Sequence, residues 1–367
     1  MPKEKKESKR DLFLAELAKN FGRGVALAGN ELSLRQIKRI PFGILQLDYL
    51  TQGGIPAERV TMIHGREGGT KSTTALMLAK SYLDRCNQCY QLKCKCKNSR
   101  SSQVLYLDAE LKCESEGIKA LGIDFDRFIL VQPLNSEQAI DILEKALRNE
   151  SIGFVVVDSI ASMCPQVEID ATAGEWQMGI VAREINKLFR KMLAAMIART
   201  RANTAPTVIV INQEREKIGV TYGNPIVLPG GGGQRFTTWL TLRVWSHALK
   251  TKQDNPHDDP ILRVSAVVIK HAYGPSGHGA EYVLAMGDTS DGLKFGEARD
   301  WEFVKVISEK QGFLSWTPNL NGSGPEKKGH WKVEGTEMTL TQEALKMALA
   351  KREELYWNLR ERVVALY

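Results

Sequence analysis

Short apolar runs alternate with amphipathic stretches from about residue 55 to residue 290. The apolar runs, rich in β-branched residues, predict strands at residues 59–64, 104–107, 128–132, 153–158, 207–212, 240–245 and 262–270. Helical periodicity between several of them predicts helices at residues 71–84, 136–149 and 179–201. Such alternation is typical of an α/β fold with a mainly parallel central sheet. Runs such as FVVVD and VIVIN belong at the centre of that sheet, because they are apolar on both faces.

The N-terminal segment has a different pattern. Apolar side chains at Leu12, Leu14, Leu17 and Phe21 stand among charged residues, which predicts a short amphipathic helix that ends at Gly22. A helix of this length is not stable alone in water, so we expect it to pack on this chain or on a neighbouring one.

The last 70 or so residues also differ from the centre. Residues 317–330 are rich in Gly, Pro and Asn and predict a loop, and one long helix is predicted from about residue 341 to residue 366. A chain of 367 residues suggests two or three domains, and this part has the pattern of a small separate one.

Composition narrows the class of protein but says little about its chemistry. Lys and Arg number 50 against 43 Asp and Glu, and 43% of the residues are hydrophobic, which is enough for an ordinary core. The chain has no apolar run of about 20 residues and no apolar segment after its charged N-terminus. We therefore expect a cytoplasmic protein without a membrane partner. A net charge of +7 is a mild hint of an anionic partner, and it is equally compatible with a solvated surface.

A phosphate site is predicted where the strand at residues 59–64 runs directly into a glycine-rich turn that opens a helix. The residues of this segment are Gly65, Arg66, Glu67, Gly68, Gly69, Thr70, Lys71, Ser72 and Thr73. In a P-loop of this kind, backbone N–H groups wrap the β- and γ-phosphates of ATP, Lys71 neutralises them and Ser72 holds Mg²⁺. On this motif alone, an ordinary glycine-rich turn remains the alternative.

Thr70 departs from the P-loop pattern, which has glycine immediately before the lysine. A β-branched residue tolerates a positive φ poorly. We therefore expect the loop either to reshape around Gly68 and Gly69 or to bind nucleotide somewhat differently.

Polar residues follow three other predicted strands. Asp158 ends the strand at residues 153–158 in the manner of a Walker B aspartate, which assists Mg²⁺. Glu110 follows the strand at residues 104–107 and is suited to orient and deprotonate a water molecule. Gln213 ends another strand and is placed to sense the γ-phosphate. Each is by itself an ordinary polar residue at a strand end, but together they favour one site at the edge of the sheet where ligands bind.

Two further stretches carry a resemblance to a known family. Residues 211–225, INQEREKIGVTYGNP, are followed by glycines at 230–233, and the strand ending at Asp158 continues as SIASMCPQVEID and then GEWQMG. These stretches resemble the second and first DNA-binding loops of the RecA family of DNA strand-exchange recombinases. Similar segments, including KNFGRGVAL and GGIPAERV, extend the resemblance from about residue 9 to residue 310.

The resemblance implies an organisation. It implies an N-terminal oligomerisation helix within residues 1–35, a RecA-like P-loop ATPase core at residues 36–295 and a small C-terminal α/β domain at residues 296–367 that captures DNA. It also implies a homo-oligomeric helical filament with ATP and Mg²⁺ bound between neighbours, on single-stranded DNA that is paired with double-stranded DNA. The implied activity is DNA-dependent ATP hydrolysis coupled to homologous pairing and strand exchange in recombination and repair.

Residue roles follow from the same resemblance. Glu110 is implied as the catalytic carboxylate, Gln213 as the link between the γ-phosphate and the second DNA loop, and Glu114 as a contact of the base. Lys270 is implied as the cation that reaches the γ-phosphate of the neighbouring subunit, where the family has two lysines. The implied DNA contacts are Met178, Arg183, Asn186, Arg190, Arg215, Lys217, Gly230 and Gly231. Without the resemblance, Arg183, Asn186 and Arg190 share one helix face, which is by default a solvated basic face.

Four cysteines lie close together in an insertion relative to the family pattern, at residues 85–100. They are Cys86, Cys89, Cys94 and Cys96. Four thiolates suit the tetrahedral preference of Zn²⁺, and Cys-x₂-Cys is a common half-site, although the Cys-x-Cys half is unusually tight. We expect a structural zinc site, with disulfides or free thiols as alternatives. The lysines and arginines around it also offer an auxiliary contact to DNA.

Two other functions remain open from the sequence. A hexameric helicase or branch-migration ATPase would use the same ATPase core but assemble as a closed ring. A filament or mediator protein that does not hydrolyse ATP would result if Thr70 abolished turnover while DNA binding persisted.

Overall fold

The structure is a computed structural model that describes residues 8–33, 37–96, 102–172, 179–202, 204–216, 226–248, 260–290, 292–317 and 330–366. Within these residues, no helix has both the length and the hydropathy needed to cross a bilayer.

The N-terminal segment forms helix α1 (Lys9–Phe21), followed by the short helix α2 (Gly29–Ser33). Ser8 caps α1 by accepting a hydrogen bond from the Asp11 backbone N–H while the Asp11 carboxylate accepts from Ser8, and Gly22 is the C-cap, as expected. No residue of α1, which is described in full, is buried. Its side chains Leu12, Phe13 and Phe21 are more than half exposed, so the helix has an apolar surface that its own chain does not cover.

A central nine-stranded sheet dominates the rest of the chain, with the order β13-β12-β11-β10-β3-β7-β6-β4-β5. The elements up to β13 are β1 (Arg39–Ile40), α3 (Leu45–Leu50), β2 (Ile55–Pro56), β3 (Val60–Gly65), α4 (Lys71–Leu83), β4 (Gln103–Asp108), α5 (Ser115–Ala120), β5 (Phe128–Val131), α6 (Ser136–Arg148), β6 (Ile152–Asp158), α7 (Gln166–Asp170), α8 (Ile180–Arg201), β7 (Thr207–Gln213), β8 (Arg215–Glu216), β9 (Ile226–Val227), α9 (Gly233–Thr237), β10 (Leu240–Ala248), β11 (Ile261–His271), β12 (Gly279–Ala285) and β13 (Ala298–Arg299). The strands from β10 to β5 pair in parallel, and β11, β12 and β13 extend the sheet antiparallel, so the sheet is mainly parallel as predicted.

The two faces of the sheet are covered by different helices. Every residue of β6 is buried, and its side chains alternate between two cores: Phe154 and Val156 pack with α4, whereas Val155 and Val157 pack with α6 and α8. Burial on both faces explains why the central strands read as continuous apolar runs. Because β3, β7, β6 and β4 pair in parallel, their carboxyl ends meet at one edge of the sheet.

The C-terminal part packs around a second core, built from its helices, a three-stranded antiparallel sheet and Leu45 of α3. Its elements are α10 (Trp301–Lys310), β14 (Leu314–Thr317), β15 (His330–Val333), β16 (Thr339–Leu340), α11 (Gln342–Ala350) and α12 (Glu354–Val364). Most of the loop predicted at 317–330 lies outside the described residues, and its two ends, Thr317 and His330, are paired strand residues.

The prediction of a single long helix at residues 341–366 is wrong, because this segment forms two helices, α11 and α12. Arg352, at the break, has a left-handed φ of 52°, and its guanidinium donates to the Glu297 carboxylate and to the Ala298 carbonyl oxygen at 2.8 Å. The turn places Leu345 of α11 and Leu359 of α12 in the same core. Helical periodicity continues across the break, so the pattern alone does not reveal it.

Candidate functional site

The predicted P-loop connects the end of β3 to the start of α4. Gly65 is required by packing, since a Cβ atom there would lie 1.9 Å from the backbone oxygen of Val244 in β10. On the far side of the turn, the Ser246 hydroxyl donates to the carbonyl oxygen of Gly68 at 2.7 Å. Strand β10 therefore holds the loop close to the sheet, with the N-terminus of α4 at its end.

Thr70 retains the left-handed backbone conformation that glycine normally supplies, with φ 62° and ψ 17°. Its hydroxyl donates to the carbonyl oxygen of Gly69 at 2.6 Å, and its own carbonyl oxygen accepts from the Thr74 N–H at 2.8 Å. A non-glycine residue in this conformation costs about 1–2 kcal/mol. The loop therefore accommodates Thr70 without a change of backbone conformation at this position.

Lys71 is buried at the start of α4, and its ammonium donates to the carbonyl oxygen of Arg66 at 2.6 Å across the loop. Burial lowers the pKa of Lys71, while the carboxylates of Asp158 and Glu110 act in the opposite direction. A desolvated cation among the N–H groups of a helix N-terminus is a suitable counter-charge for a phosphate.

Asp158 lies buried at the end of β6. Tyr106 donates its hydroxyl hydrogen to Asp158 Oδ2 at 2.6 Å. Burial raises the pKa of Asp158, and hydrogen bonds from Ser72 and Tyr106 oppose that shift. The donors brought together are a buried carboxylate and a hydroxyl, which are the hard oxygen ligands that Mg²⁺ prefers, so Ser72 and Asp158 fit the magnesium site predicted for them.

Glu110 is the centre of a polar network at the same edge. Its Oε1 accepts hydrogen bonds from Ser159, from Ser162 at 3.0 Å and from the side-chain amide of Gln213. Its Oε2 accepts from Lys112 at 2.8 Å. Burial alone would raise the pKa of Glu110, but these donors outweigh it and hold the pKa below its usual value. The two residues that the sequence placed on separate strands, Glu110 and Gln213, are thus in direct contact.

Asp108 organises the turn that carries Glu110. Its carboxylate accepts from the backbone N–H groups of Glu110, Lys112 and Cys113 at 3.1–3.3 Å. No role was predicted from the sequence for this residue, nor for Lys112, Ser159, Ser162 and Tyr106. An aspartate at the end of a parallel strand, before a turn whose N–H groups need acceptors, is the signal that could have revealed its role.

The other predicted nucleotide contacts lie around this centre. Arg66 pairs with Glu216 of β8 at 2.8 Å, which joins the P-loop to the start of the second predicted DNA loop. Glu67 is exposed, and Thr73 is half-buried in the first turn of α4. Glu114 is exposed at the N-cap of α5, where its side chain makes no capping hydrogen bond.

A hydrogen-bonded triad of Glu214, Arg243 and His64 fixes the backbone beside Gln213. Glu214 accepts from Arg243 at 2.7 and 3.0 Å, and its Oε1 lies 3.0 Å from Nδ1 of His64. Burial alone would raise the pKa of Glu214, but Arg243 and His64 lower it. Because the triad joins β3, β10 and the residue that follows β7, it holds the end of β7 in place. No sequence pattern predicted it.

The predicted DNA contacts on α8 and on the glycine segment are brought together. Arg183 and Arg190 are exposed on α8, whereas Asn186 is half-buried. A Cβ atom at Gly233 would lie 2.2 Å from Asn186 Oδ1, and one at Gly230 would lie 2.6 Å from Ile185. The glycines therefore permit close packing of the segment that contains Gly230 and Gly231 on helix α8.

Arg215 is exposed at the start of β8, with Nη2 3.4 Å from the carbonyl oxygen of Ala161. Met178 and Lys217, the remaining predicted DNA contacts, lie outside the described residues. Lys270 donates its ammonium hydrogens to the carbonyl oxygens of Arg235 and Thr238 at the end of α9. In this chain alone, Lys270 therefore stabilises the short helix that carries Phe236, whose side chain is 89% exposed.

Comparison with known proteins decides the family. A family model described as the RecA N-terminal domain matches residues 9–276, from α1 to just beyond β11. The chain belongs to the RecA family. It is therefore a RecA-type protein of recombination and repair and a DNA-dependent ATPase.

Curated relatives extend the RecA similarity over nearly the whole chain. Protein RecA of Thermus aquaticus is 30% identical over 359 residues, covering 96% of this chain and 98% of the relative. Protein RecA of Thermus thermophilus is 31% identical over 364 residues, covering 98% and 95% respectively. Protein RecA of Lactobacillus acidophilus is 32% identical over 328 residues, covering 89% and 84%. The similarity includes the C-terminal part that the family model does not match.

The four cysteines of the insertion in this RecA-family chain do come together. Their sulfur atoms, from Cys86, Cys89, Cys94 and Cys96, all lie within 4.8 Å of one another, directly after α4. No disulfide links any of the six cysteines in the structure. The insertion is anchored by Lys38, whose ammonium donates to the carbonyl oxygen of Gln88 at 2.5 Å. Residues 97–100 of the insertion lie outside the described residues.

The thiols are chemically suited to a metal. Burial alone would raise the pKa of Cys86, but backbone N–H groups of Cys89 and Gln88 and the neighbouring thiols lower it to about 6. The pKa of Cys96 is raised to about 12, chiefly by its hydrogen bond to Cys89. Several thiolates packed this closely repel one another unless a cation lies between them. A tetrahedral Zn²⁺ with 2.3 Å bonds needs sulfur atoms about 3.8 Å apart, which the observed spacing accommodates.

Proposed function

We propose that this chain assembles with ATP and Mg²⁺ into a helical filament on single-stranded DNA and catalyses homologous pairing and strand exchange with a duplex. The observation that carries this proposal is that the residues of the candidate nucleotide site lie together at one edge of the sheet. The P-loop, Asp158, Glu110 and Gln213 meet there, and Gln213 leads within two residues to the exposed Arg215. A nucleotide site that continues directly into a basic surface is what coupling of ATP to DNA requires.

ATP hydrolysis is assigned to residues of the P-loop and of the neighbouring strand ends. Backbone N–H groups of the P-loop, from Gly65 to Ser72, and the Lys71 ammonium hold the phosphates, and Thr73 continues the helix beneath them. Ser72 and Asp158 would hold Mg²⁺, which neutralises developing charge when bound. Glu110 orients the attacking water and takes its proton, because it is a largely ionised carboxylate held by four side-chain donors. Glu114 is proposed as a contact of the adenine base.

Gln213 is proposed to transmit the state of the nucleotide to DNA. Its side-chain amide donates to Glu110, and its backbone is held by the triad of Glu214, His64 and Arg243. A γ-phosphate that attracts the Gln213 amide away from Glu110 would therefore shift the residues that follow. Arg215, two residues further on, is the first DNA contact in that direction.

The DNA strand is proposed to lie along α8 and the two loops beside it. Arg183, Arg190, Arg215 and Lys217 bind phosphates, while Asn186, Met178 and the backbone N–H groups of Gly230 and Gly231 complete the contact. Contacts of these kinds read the backbone rather than the bases, so base pairing supplies the test of homology.

The proposed organisation has three parts. Residues 1–35 serve oligomerisation, since α1 has an uncovered apolar face that a neighbouring subunit can bury. Residues 36–295 are the ATPase core, with Lys270 proposed to face the nucleotide of the neighbouring subunit. Residues 296–367 capture the incoming duplex. The proposed place of action is the cytoplasm.

A structural Zn²⁺ is proposed at Cys86, Cys89, Cys94 and Cys96. The support is the position of the four sulfur atoms, which all lie within 4.8 Å of one another. When bound, the ion would fix the fold of residues 85–100, whose exposed Lys93 and Lys95 would offer an auxiliary contact to DNA.

The test is electron microscopy of the full chain with single-stranded DNA and a non-hydrolysable ATP analogue, combined with an assay of DNA-stimulated ATP hydrolysis. Helical filaments and stimulated hydrolysis are expected. Closed rings would instead favour a hexameric helicase or branch-migration ATPase. Filaments without any hydrolysis would favour a mediator protein in which Thr70 has abolished turnover.

A further inference from the structure

Lys112 lies at the mouth of the nucleotide site and has no assigned role. Its ammonium is 2.8 Å from Glu110 Oε2 and 3.7 Å from the carboxylate of Glu67 in the P-loop, so it lies between the turn after β4 and the phosphate-binding loop. The Lys112 side chain is 53% exposed, whereas that of Glu110 is 9% exposed. The cation therefore lies on the solvent side of a largely buried carboxylate.

The contact with Lys112 conflicts with the role of Glu110 as a base. Ser159, Ser162 and Gln213 all donate to Oε1, and among the described residues Oε2 has Lys112 as its hydrogen-bond donor. A carboxylate that takes a proton from water needs a lone pair facing the substrate, and an ammonium bound to the same oxygen weakens its basicity. Glu110 is therefore a stronger base once the Lys112 ammonium has left Oε2.

The charges around the site indicate where that ammonium goes. Burial lowers the pKa of Lys71, and the positive charge of Lys112 lowers it further, so the two cations repel each other. The terminal phosphate of ATP is the anion that relieves this repulsion, since it carries more negative charge than one carboxylate. The Lys112 backbone stays in place because its N–H is bound to Asp108, while four rotatable bonds let the ammonium move.

We propose that Lys112 is a catalytic cation supplied by the same subunit: it pairs with Glu110 when the nucleotide site is empty and with the γ-phosphate of ATP when the site is filled. This inference rests on the proposed function. During hydrolysis, the water oxygen bonds to the γ-phosphorus as the bond to the β–γ bridging oxygen breaks, and Glu110 takes the water proton. Lys112 keeps its protons and stabilises the charge on the phosphoryl oxygens, and ADP and phosphate leave.

The test compares Lys112→Gln, Lys112→Arg and the control Lys119→Ala, which removes an exposed lysine on α5. Glutamine still donates to Glu110 but carries no charge. Two measurements are made on the full chain: DNA-stimulated ATP hydrolysis, and equilibrium affinity for ADP and for ADP with aluminium fluoride, which mimics the phosphoryl group in transit.

We expect Lys112→Gln to lower kcat at least about tenfold with KM for ATP changed less than about threefold. Its affinity for ADP should be unchanged, whereas its affinity for ADP with aluminium fluoride should fall at least about tenfold. Lys112→Arg should restore most of both losses, and Lys119→Ala should match the wild type.

Equal affinity of the wild type and Lys112→Gln for the aluminium fluoride complex would overturn the inference. So would a loss of ADP affinity as large as the loss for that complex, because it would show a structural role. A wild type without DNA-stimulated hydrolysis would count against the proposed function instead, and the binding measurements would still decide the role of Lys112.

Discussion

The two ends of helix α4 lead to two different sites. Its N-terminus follows the P-loop, beside a polar network that comes from the ends of four strands. Its C-terminus, about 20 Å away, leads into the four cysteines that lie close together in sequence. The groups at the first end come from positions as distant as Lys71 and Gln213, and the sheet brings them together. The groups at the second end lie between Cys86 and Cys96, and only local turns bring them together. The arrangement at the first end therefore depends on the fold of the sheet, and the arrangement at the second depends, in our proposal, on a bound ion.

The difference also concerns what each end does with charge. At the P-loop end, opposite charges such as Lys112 and Glu110 are paired, and the proposed role of ATP is to rearrange them. At the cysteine end, like charges would accumulate as the thiols ionise, and the proposed role of the ion is to neutralise them. We therefore expect changes at the first end to alter turnover with little effect on stability, and changes at the second to do the reverse.

The largest expected effect is that of Glu110→Gln at the P-loop end. Glutamine keeps the shape and the hydrogen-bonding oxygen but cannot take a proton, so DNA-stimulated ATP hydrolysis should fall by at least about a hundredfold. The melting temperature should change little. Steady-state hydrolysis and thermal unfolding are measured on the same samples, with Glu116→Gln, an exposed residue on α5, as the control. Hydrolysis within tenfold of the wild type would remove Glu110 from its assigned role.

For Cys94→Ser we expect a smaller effect, and on stability rather than on ATP hydrolysis. The wild type should contain about one zinc per chain, and the variant should lose it together with about 5 °C of melting temperature. ATP hydrolysis should stay within about twofold, because the sulfur atoms lie at the end of α4 remote from the phosphates. Cys164→Ser, outside the cluster, is the matched control. Purified wild type without zinc, or a Cys94→Ser variant as stable as the wild type, would contradict the proposed metal site.

The smallest effect is expected for Thr70→Gly. Glycine removes about 1–2 kcal/mol of left-handed strain but adds up to about 1 kcal/mol of conformational entropy in the unfolded chain. The free energy of unfolding, measured with urea, should therefore rise by about 1 kcal/mol at most, and hydrolysis should persist. Thr70→Val, which keeps the strain and loses the hydroxyl contact with Gly69, should be the less stable variant. The reverse order would show that left-handed strain at this position does not limit the stability of the turn.

The sequence was most informative where one local pattern determines the structure. The strands that contain Phe154 and Ile209 are buried on both faces and could be predicted from apolar runs alone. The turn at Arg352 could not, because it depends on Glu297 and Ala298, more than 50 residues away. Periodicity reports which side chains avoid water but not where tertiary contacts interrupt a helix.

The residues of the candidate site likewise differ in how far the sequence could identify them. Lys71, Asp158 and Glu110 could be identified because each follows a strand in a recognisable setting. The triad around Glu214 could not, because only the folded sheet brings His64 and Arg243 within hydrogen-bond distance of it. Asp108 and Lys112 have partners close in sequence, but no residue pattern alone shows that Lys112 pairs with Glu110. The cysteines are the intermediate case, since their spacing suggested a metal and their folded arrangement supports one.

The central claim is that ATP binding at the P-loop end of α4 enables this RecA-family chain to pair homologous DNA. The most direct measurement is the formation of joint molecules between a labelled single strand and supercoiled duplex, with ATP, with ADP and without nucleotide. Joint molecules should form with ATP and homologous duplex, and should be absent with heterologous duplex or with ADP. Equal yields with and without ATP, or equal yields with homologous and heterologous duplex, would contradict the account.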